Sequence, residues 1–166
     1  MDRLETARLI LRRPKASDLD GYVHYCQSDR SAFVGGPFDR GRAFEKLAGM
    51  IGHWDLRGFG RYVFALKANG RPIGHVGALQ LDDAASPELS WTIWDSGDEK
   101  HGYAFEAGQA YLAHAPRAYG FPSLLARVDR ENLPSRKLAE RLGGILAPNA
   151  RAPEWAPNSV TYDFLF

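Results

Sequence analysis

The sequence predicts an α/β chain (α+β in its arrangement), with a mixed sheet carrying helices on its faces. Two observations lead there. Short runs with strand-like alternation are interleaved with stretches whose apolar residues recur at helical spacing. Two of the strand runs are also neighbours across Asn69-Gly70, so part of the sheet must be antiparallel.

The elements follow in order. Residues 7–13, Ala-Arg-Leu-Ile-Leu-Arg-Arg, read as a strand bounded by Pro14. Ser17 with Asp20 three residues on has the pattern of a helix start, and that helix runs to about Ser28. After the Gly35-Gly36-Pro37 loop, a second helix spans roughly Arg40 to Leu56, with Phe44, Leu47, Ala48 and Ile51 on one face. Tyr62 to Ala68 and Pro72 to Leu81 read as two strands joined by a two-residue turn at Asn69-Gly70. Glu88 to Trp94 is a further strand, in which Leu89, Trp91 and Ile93 alternate with Glu88, Ser90, Thr92 and Trp94. A helix from about Tyr103 to Ala115 places Ala104, Ala107, Gly108, Tyr111 and Ala115 at helical spacing, and Pro116 is expected to disrupt its last turn. Leu124 to Val128 is a short buried-type strand. Asn132 caps a helix that runs to Leu142 and stops at Gly143-Gly144. Val160 to Phe166 is the last strand, and Ile145-Leu146 offers one more short one.

Size and composition narrow the function. A chain of 166 residues fits one domain, residues 1–166, and at that length roughly 70% of the unfolded surface is buried. Lys and Arg number 21 against 20 Asp and Glu, so the formal net charge is +1. That balance argues against a general nucleic-acid binder, which needs surplus positive charge to neutralise phosphates. Cys26 is the only cysteine, so an intrachain disulfide is excluded and a cysteine zinc site is not expected. The five histidines show no HxxxH or HExxH pairing, so no metal is expected. The N-terminus lacks the apolar stretch of a signal peptide, and no run approaches the ~18 apolar residues of a membrane span. The expectation is a cytoplasmic protein without a membrane partner; a homodimer is compatible with the sequence.

Two stretches carry chemistry. The strand Glu88–Trp94 leads into a loop ending Glu99-Lys100-His101-Gly102-Tyr103-Ala104 at a helix start. Unpaired N–H groups and the positive end of the helix dipole suit an anion such as a pyrophosphate there. Gly102 removes a side chain from its path and Lys100 adds positive charge. The second stretch opens a helix with Asn132 and Ser135 three apart, followed by Arg136, Lys137 and Arg141, which could meet a polyanion. Each also has a plain structural reading: a turn glycine, a capping asparagine and a solvated charged face.

Taken together, the two stretches resemble the GNAT superfamily of N-acetyltransferases, in particular the branch of the ribosomal-protein N-terminal acetyltransferases RimJ and RimL. The Glu99–Ala104 loop is similar to that family's Gln/Arg-x-x-Gly-x-Gly/Ala loop, and Asn132, Ser135 and Leu142-Gly143 match its Asn-x-x-Ser segment and Leu-Gly helix end. Thr6 to Arg12 with Ser17-Asp18-Leu19 looks like its first strand and helix, so the likeness covers nearly the whole chain. The resemblance implies a twisted, mostly antiparallel sheet of six to seven strands flanked by about four helices, with a V-shaped splay between the fourth and fifth strands, Glu88–Trp94 and Leu124–Val128.

It further implies acetyl-CoA as cosubstrate, no metal, and transfer of an acetyl group to a primary amine, on a protein N-terminus or a small molecule. Lys100, His101, Gly102, Tyr103, Ala104, Asn132, Ser135 and Lys137 would meet CoA, and backbone near Thr92, Ile93 and Trp94 would pair with pantetheine like an added strand. Glu99 departs from the family's Gln or Arg, and is expected to point away from the phosphates. The tyrosine that many relatives use as acid is Ala139 here. Ser135 takes that place as acid or as a hydrogen-bond donor to sulfur, and Glu88 is the candidate base, with His75 second. The competing reading is an inert acyl-CoA-binding sensor or scaffold; a nucleotide-phosphate enzyme using the Lys100–Ala104 loop is a more distant one.

Overall fold

The computed structural model describes residues 3–166. Eight strands form one sheet: β1 (Arg3–Glu5), β2 (Leu9–Arg12), β3 (Arg61–Leu66), β4 (Pro72–Leu79), β5 (Glu88–Ile93), β6 (Ser123–Asp129), β7 (Ile145–Leu146) and β8 (Ser159–Leu165). Four α-helices accompany it: α1 (Leu19–Gln27), α2 (Arg40–Arg57), α3 (Tyr103–Tyr119) and α4 (Leu133–Arg141). The strand order is β1-β2-β3-β4-β5-β6-β8-β7, antiparallel throughout except for β5 beside β6.

That exception makes the cleft. β5 and β6 keep a single parallel register pair, Glu88↔Leu125, and separate beyond it. This is the expected splay, here between the fifth and sixth strands, because β1 adds a strand at the start. β1 escaped the sequence reading because it has three residues and no apolar alternation; Thr6 turns the chain into β2, its amide reaching the Leu9 carbonyl at 3.0 Å.

Apolar side chains fill both faces of the sheet. On one, Tyr62 and Phe64 of β3, Val76 and Ala78 of β4, Leu124 of β6 and Tyr162 of β8 pack with Ala107, Tyr111 and Ala115 of α3. On the other, Tyr22, Val23 and Cys26 of α1 and Leu47 and Met50 of α2 pack with Val63 and Trp94. Each large side chain buried this way contributes on the order of 1.5–3 kcal/mol.

Several local expectations are corrected. The first helix is not capped by Ser17: a 3-10 turn over Ala16–Asp18 precedes it, and buried Asp18 accepts both guanidinium arms of Arg12 at 2.9 and 2.7 Å. The buried face of α2 is Ala43, Leu47, Met50, His53 and Trp54, while Phe44 and Ala48 face solvent. The Asn69-Gly70 connection is a four-residue loop, Lys67–Gly70, closed by the Gly70 amide on the Leu66 carbonyl at 2.8 Å and the Leu66 amide on the Arg71 carbonyl at 3.0 Å. α3 continues through Pro116 to Tyr119. Pro116 removes one N–H, but the Gly120 amide closes the turn on the Pro116 carbonyl, and the Tyr119 hydroxyl lies 2.7 Å from that of Tyr62.

Candidate active site

The splay opens a cleft of about 540 Å³ that runs between β5 and β6 from one face of the sheet to the other. Its α3/α4 half is lined by Lys100, Gly102, Tyr103, Ala104, Phe105, Asn132, Ser135 and Arg141, and its α1/α2 half by Tyr22, Tyr25, Phe33, Phe38, Lys46, Arg61 and His75.

The loop before α3 is held from several sides. Asp98, buried at its base, accepts both arms of Arg71 at 2.8 and 2.7 Å. Arg8 donates to the His101 carbonyl at 2.9 Å and to Glu106 at 2.7 Å, and its guanidinium lies 4.6 Å from the Tyr103 ring centroid. Burial works to raise the Glu106 carboxyl, but hydrogen bonds from Thr6 and Arg8 outweigh it and leave the group below its ordinary value. Lys100 and Gly102 both have left-handed backbone, at φ 63° and 79°. Only glycine takes that conformation without cost, so Gly102 is set by geometry, whereas Lys100 bears strain. At Gly102 a Cβ would meet nothing closer than an Arg8 nitrogen at 3.5 Å, so the space above the loop is open. An open, amide-rich loop at a helix N-terminus, with Lys100 beside it, fits a pyrophosphate.

Glu99 turns away from this loop. Its carboxylate takes Arg30 at 2.6 Å, and the same guanidinium donates to the Ile93 carbonyl at 2.9 Å. The departure at position 99 is therefore neutralised by an arginine from the segment after α1. Arg30 also occupies one of the carbonyls that an added strand would use.

Antiparallel pairing decides which β5 backbone groups face the cleft. Trp94 donates its amide to the Ile73 carbonyl, and Thr92 sits opposite His75 in the same register. Amides alternate in direction, so those of Trp91 and Ile93 point toward β6. The Thr92 side chain lines the cleft, but the Trp94 ring is buried beside Tyr22 and donates to His75 Nδ1 at 2.9 Å. Trp94 is thus outside the lining. Lys137, His101 and Glu88 are outside it as well, while Asn132, Ser135, Thr92, Ile93, Lys100, Gly102, Tyr103 and Ala104 are within it.

Two side chains at the splay are oriented by specific bonds. Asn132 accepts the Ser135 amide at 3.3 Å, fixing the first turn of α4. Trp91 donates its indole N–H to Ser135 Oγ at 2.9 Å. With that lone pair engaged, the hydroxyl proton is free to donate into the cleft. Ala139 is fully buried, so no polar group acts from its position.

The base candidates differ in surroundings. His75 is buried, and its pKa lies well below the ordinary histidine value because of burial, with the charges of Arg61 and Lys46 adding to this. It is therefore neutral, and since Nδ1 accepts from Trp94, its proton sits on Nε2. That makes it a donor toward the cleft and removes it as a base. Glu88 pairs with Arg127 at 2.5 Å, and burial pushes its carboxyl upward against the pull of that arginine. Cys26 is fully buried, and burial pushes its thiol upward, consistent with a core residue. Among the described residues, no group of three or more His, Cys, Asp or Glu is placed to hold a metal ion.

The profile of a family described as an acetyltransferase (GNAT) domain matches residues 8–145. The chain belongs to the GNAT acetyltransferase family. As such it is an acyltransferase, and solved GNAT structures share its fold over nearly their whole length. A crystal structure of an acetyltransferase from Agrobacterium tumefaciens str. C58 superposes with a TM-score of 0.90 at 31% identity, covering 100% of this chain and 95% of that one. A protein from Bordetella pertussis described as of the GNAT family gives 0.81 at 27%, covering 98% and 99%. RimL, a ribosomal L7/L12 alpha-N-protein acetyltransferase solved with coenzyme A, gives 0.78 at 14%, covering 97% and 96%. A search of curated proteins finds no match.

Sequence reasoning named His75 but missed most of the α1/α2 half of the cleft. Tyr22, Tyr25, Arg30, Lys46 and Arg61 come from α1, the segment after it, α2 and β3, and no spacing links them. One signal was available: Arg61 alternates with Tyr62 in β3 and so shares the Val63 face, which is buried.

Proposed function

We propose that residues 1–166 form one N-acetyltransferase domain that moves the acetyl group of acetyl-CoA to a primary amine by direct attack on the thioester. The observation that carries this is the through-going cleft, with a braced anion loop on one face and a separate polar pocket on the other. The likeness to RimL, solved with coenzyme A, supports the same donor.

Bound acetyl-CoA would supply the activated acyl group and a thiolate leaving group. The chain's own residues divide the remaining work. Amides around Gly102–Ala104, with Lys100, hold the pyrophosphate, and Arg141 lines the same half with its guanidinium 4.3 Å from the Phe105 ring centroid. The outward backbone groups of Trp91 and the Ile93 amide pair with pantetheine, like one edge of an added strand. Ser135, aimed by Trp91, keeps its proton and donates a hydrogen bond to the sulfur as negative charge develops there. Glu88 is the proton acceptor, acting through water because its carboxyl does not itself line the cleft; its upward shift brings it nearer to base work at neutral pH.

A second reading, an acyl-CoA-binding module without turnover, is favoured by one feature: Ala139 occupies the place where many relatives carry a tyrosine. Incubation with acetyl-CoA and a broad amine panel, followed by detection of free thiol and of acetylated amine, separates the two. Thiol release that depends on an amine supports transfer. Binding of CoA without release in any member of the panel supports the inert module.

A further inference from the structure

The α1/α2 half of the cleft has an excess of hydrogen-bond donors and positive charge. Its carboxylates are already engaged: Asp98 by Arg71, Glu99 by Arg30, and Asp129 by the Glu131 amide and the Asn158 side chain at 2.9 and 3.1 Å. Glu88, just behind the lining, is engaged by Arg127. The cations are not matched in the same way. Arg61 and Lys46 both line the cleft, and among the described residues neither has a carboxylate in contact, Arg61 feeling the Glu88 charge only at longer range. Lys46 rests over the Phe38 ring at 4.4 Å instead. Its pKa is lowered by burial first, then by the charges of Arg42 and Arg61, so the two cleft cations repel each other across the pocket.

The unsatisfied groups nearby are also donors. Ser90 Oγ and Arg127 Nε, from two lining residues, are buried with no hydrogen-bond partner, and His75 presents Nε2–H. Tyr22 and Tyr25 add hydroxyls whose pKa values burial pushes upward, so they too remain protonated donors. Half-buried cations without a contacting carboxylate, beside buried donors without partners, carry a desolvation cost that an anionic ligand offsets.

We propose that the acceptor is an amine carrying its own carboxylate, which Arg61 and Lys46 hold at the α1/α2 end of the cleft while its amino group faces the thioester. This rests on the N-acetyltransferase reading above. It separates acceptors that the sequence left equal: amino acids and acidic peptide N-termini fit, whereas polyamines and other polycationic amines are repelled.

The test is a matched panel: free L-amino acids, their C-terminal amides, spermidine and 1,5-diaminopentane, scored by thiol release from acetyl-CoA. Peptides with an acidic side chain and an amidated C-terminus form a separate arm, since they offer the same chemistry from another source. At least one carboxylate-bearing acceptor should exceed its neutral partner in kcat/KM by about tenfold or more, the worth of a charge-assisted hydrogen bond. K46Q should bring that ratio toward one while thermal stabilisation by CoA persists. R61Q should do the same, and K46Q, on the half-buried side of α2, covers the case in which R61Q does not fold. Equal or faster turnover of the amides or polyamines overturns the proposal, as does a panel without turnover while CoA still stabilises the protein. If CoA itself fails to stabilise the protein, the donor-site reading falls, and this one with it.

Discussion

Replacing Gly102 with alanine separates two roles that a loop glycine can have. Gly102 sits at φ 79°, and a Cβ there would find its nearest neighbour, an Arg8 nitrogen, at 3.5 Å. No steric clash arises, so the stability cost is that of left-handed backbone alone, about 1–2 kcal/mol. In a domain of this size that lowers the melting temperature by roughly 2–8 °C. Gly120, at φ 70° with nothing within 4 Å of its Cβ, provides a matched control at the far end of α3. Both variants should lose similar stability, measured by thermal denaturation without ligand. Only G102A places a methyl group in the space assigned to the pyrophosphate. Losing one charge-assisted contact there costs about 1.5–3 kcal/mol, or roughly 10- to 150-fold in CoA affinity by calorimetric titration. Equal CoA affinity in the two variants would refute the assignment of this loop to the phosphates.

Three further outcomes are expected. W91F removes the indole donor to Ser135, and kcat should fall several-fold, with CoA affinity changed by less than twofold; an unchanged kcat would mean that the hydroxyl needs no orientation. D98A should lower stability by about 2 kcal/mol, discounted because Arg71 is half exposed, and should weaken CoA binding through the loosened loop, both readable from one thermal-shift series. The third concerns pH. His53, His75 and His114 all lie below the ordinary histidine value, burial being the largest cause for each. As pH falls below about 6.5 the unfolded chain binds protons that the folded chain refuses, so stability is lost toward acid. Glu88, shifted upward, acts with opposite sign just above the usual glutamate range, where the folded state keeps a proton that the unfolded state sheds. Urea denaturation should show a less stable protein at pH 5.5 than at pH 7.5, and no difference would contradict the burial of these rings.

Much of this was legible in the sequence, for physical reasons that also explain the gaps. Period-two runs located β3, β4, β5, β6 and β8, and Asn132 with Ser135 marked the start of α4, where the capping bond is indeed made. The face of α2 was misread because Phe44 and Ala48 are apolar yet exposed, while His53 is buried with Nδ1–H donating to the Phe59 carbonyl at 2.8 Å and Nε2 accepting the Gln80 amide at 3.0 Å. Composition cannot show such backbone satisfaction of a polar ring. At the site, the loop and Ser135 lie in local motifs, so spacing alone could single them out as candidates. Trp94 was assigned with its neighbours because strand alternation gives the face of a side chain but not which edge its amide serves. Arg61 and Lys46 share a pocket only after α2 folds over β3, a juxtaposition of positions 15 residues apart that no motif encodes.

The most direct test of the central claim is calorimetric titration of the purified protein with acetyl-CoA, free CoA and ATP. Saturable 1:1 binding of both CoA forms is expected, with ATP much weaker, and with loss of CoA affinity in G102A but not in G120A. Absence of binding by either CoA form up to millimolar concentration, or binding of ATP as tight as that of CoA, would contradict it.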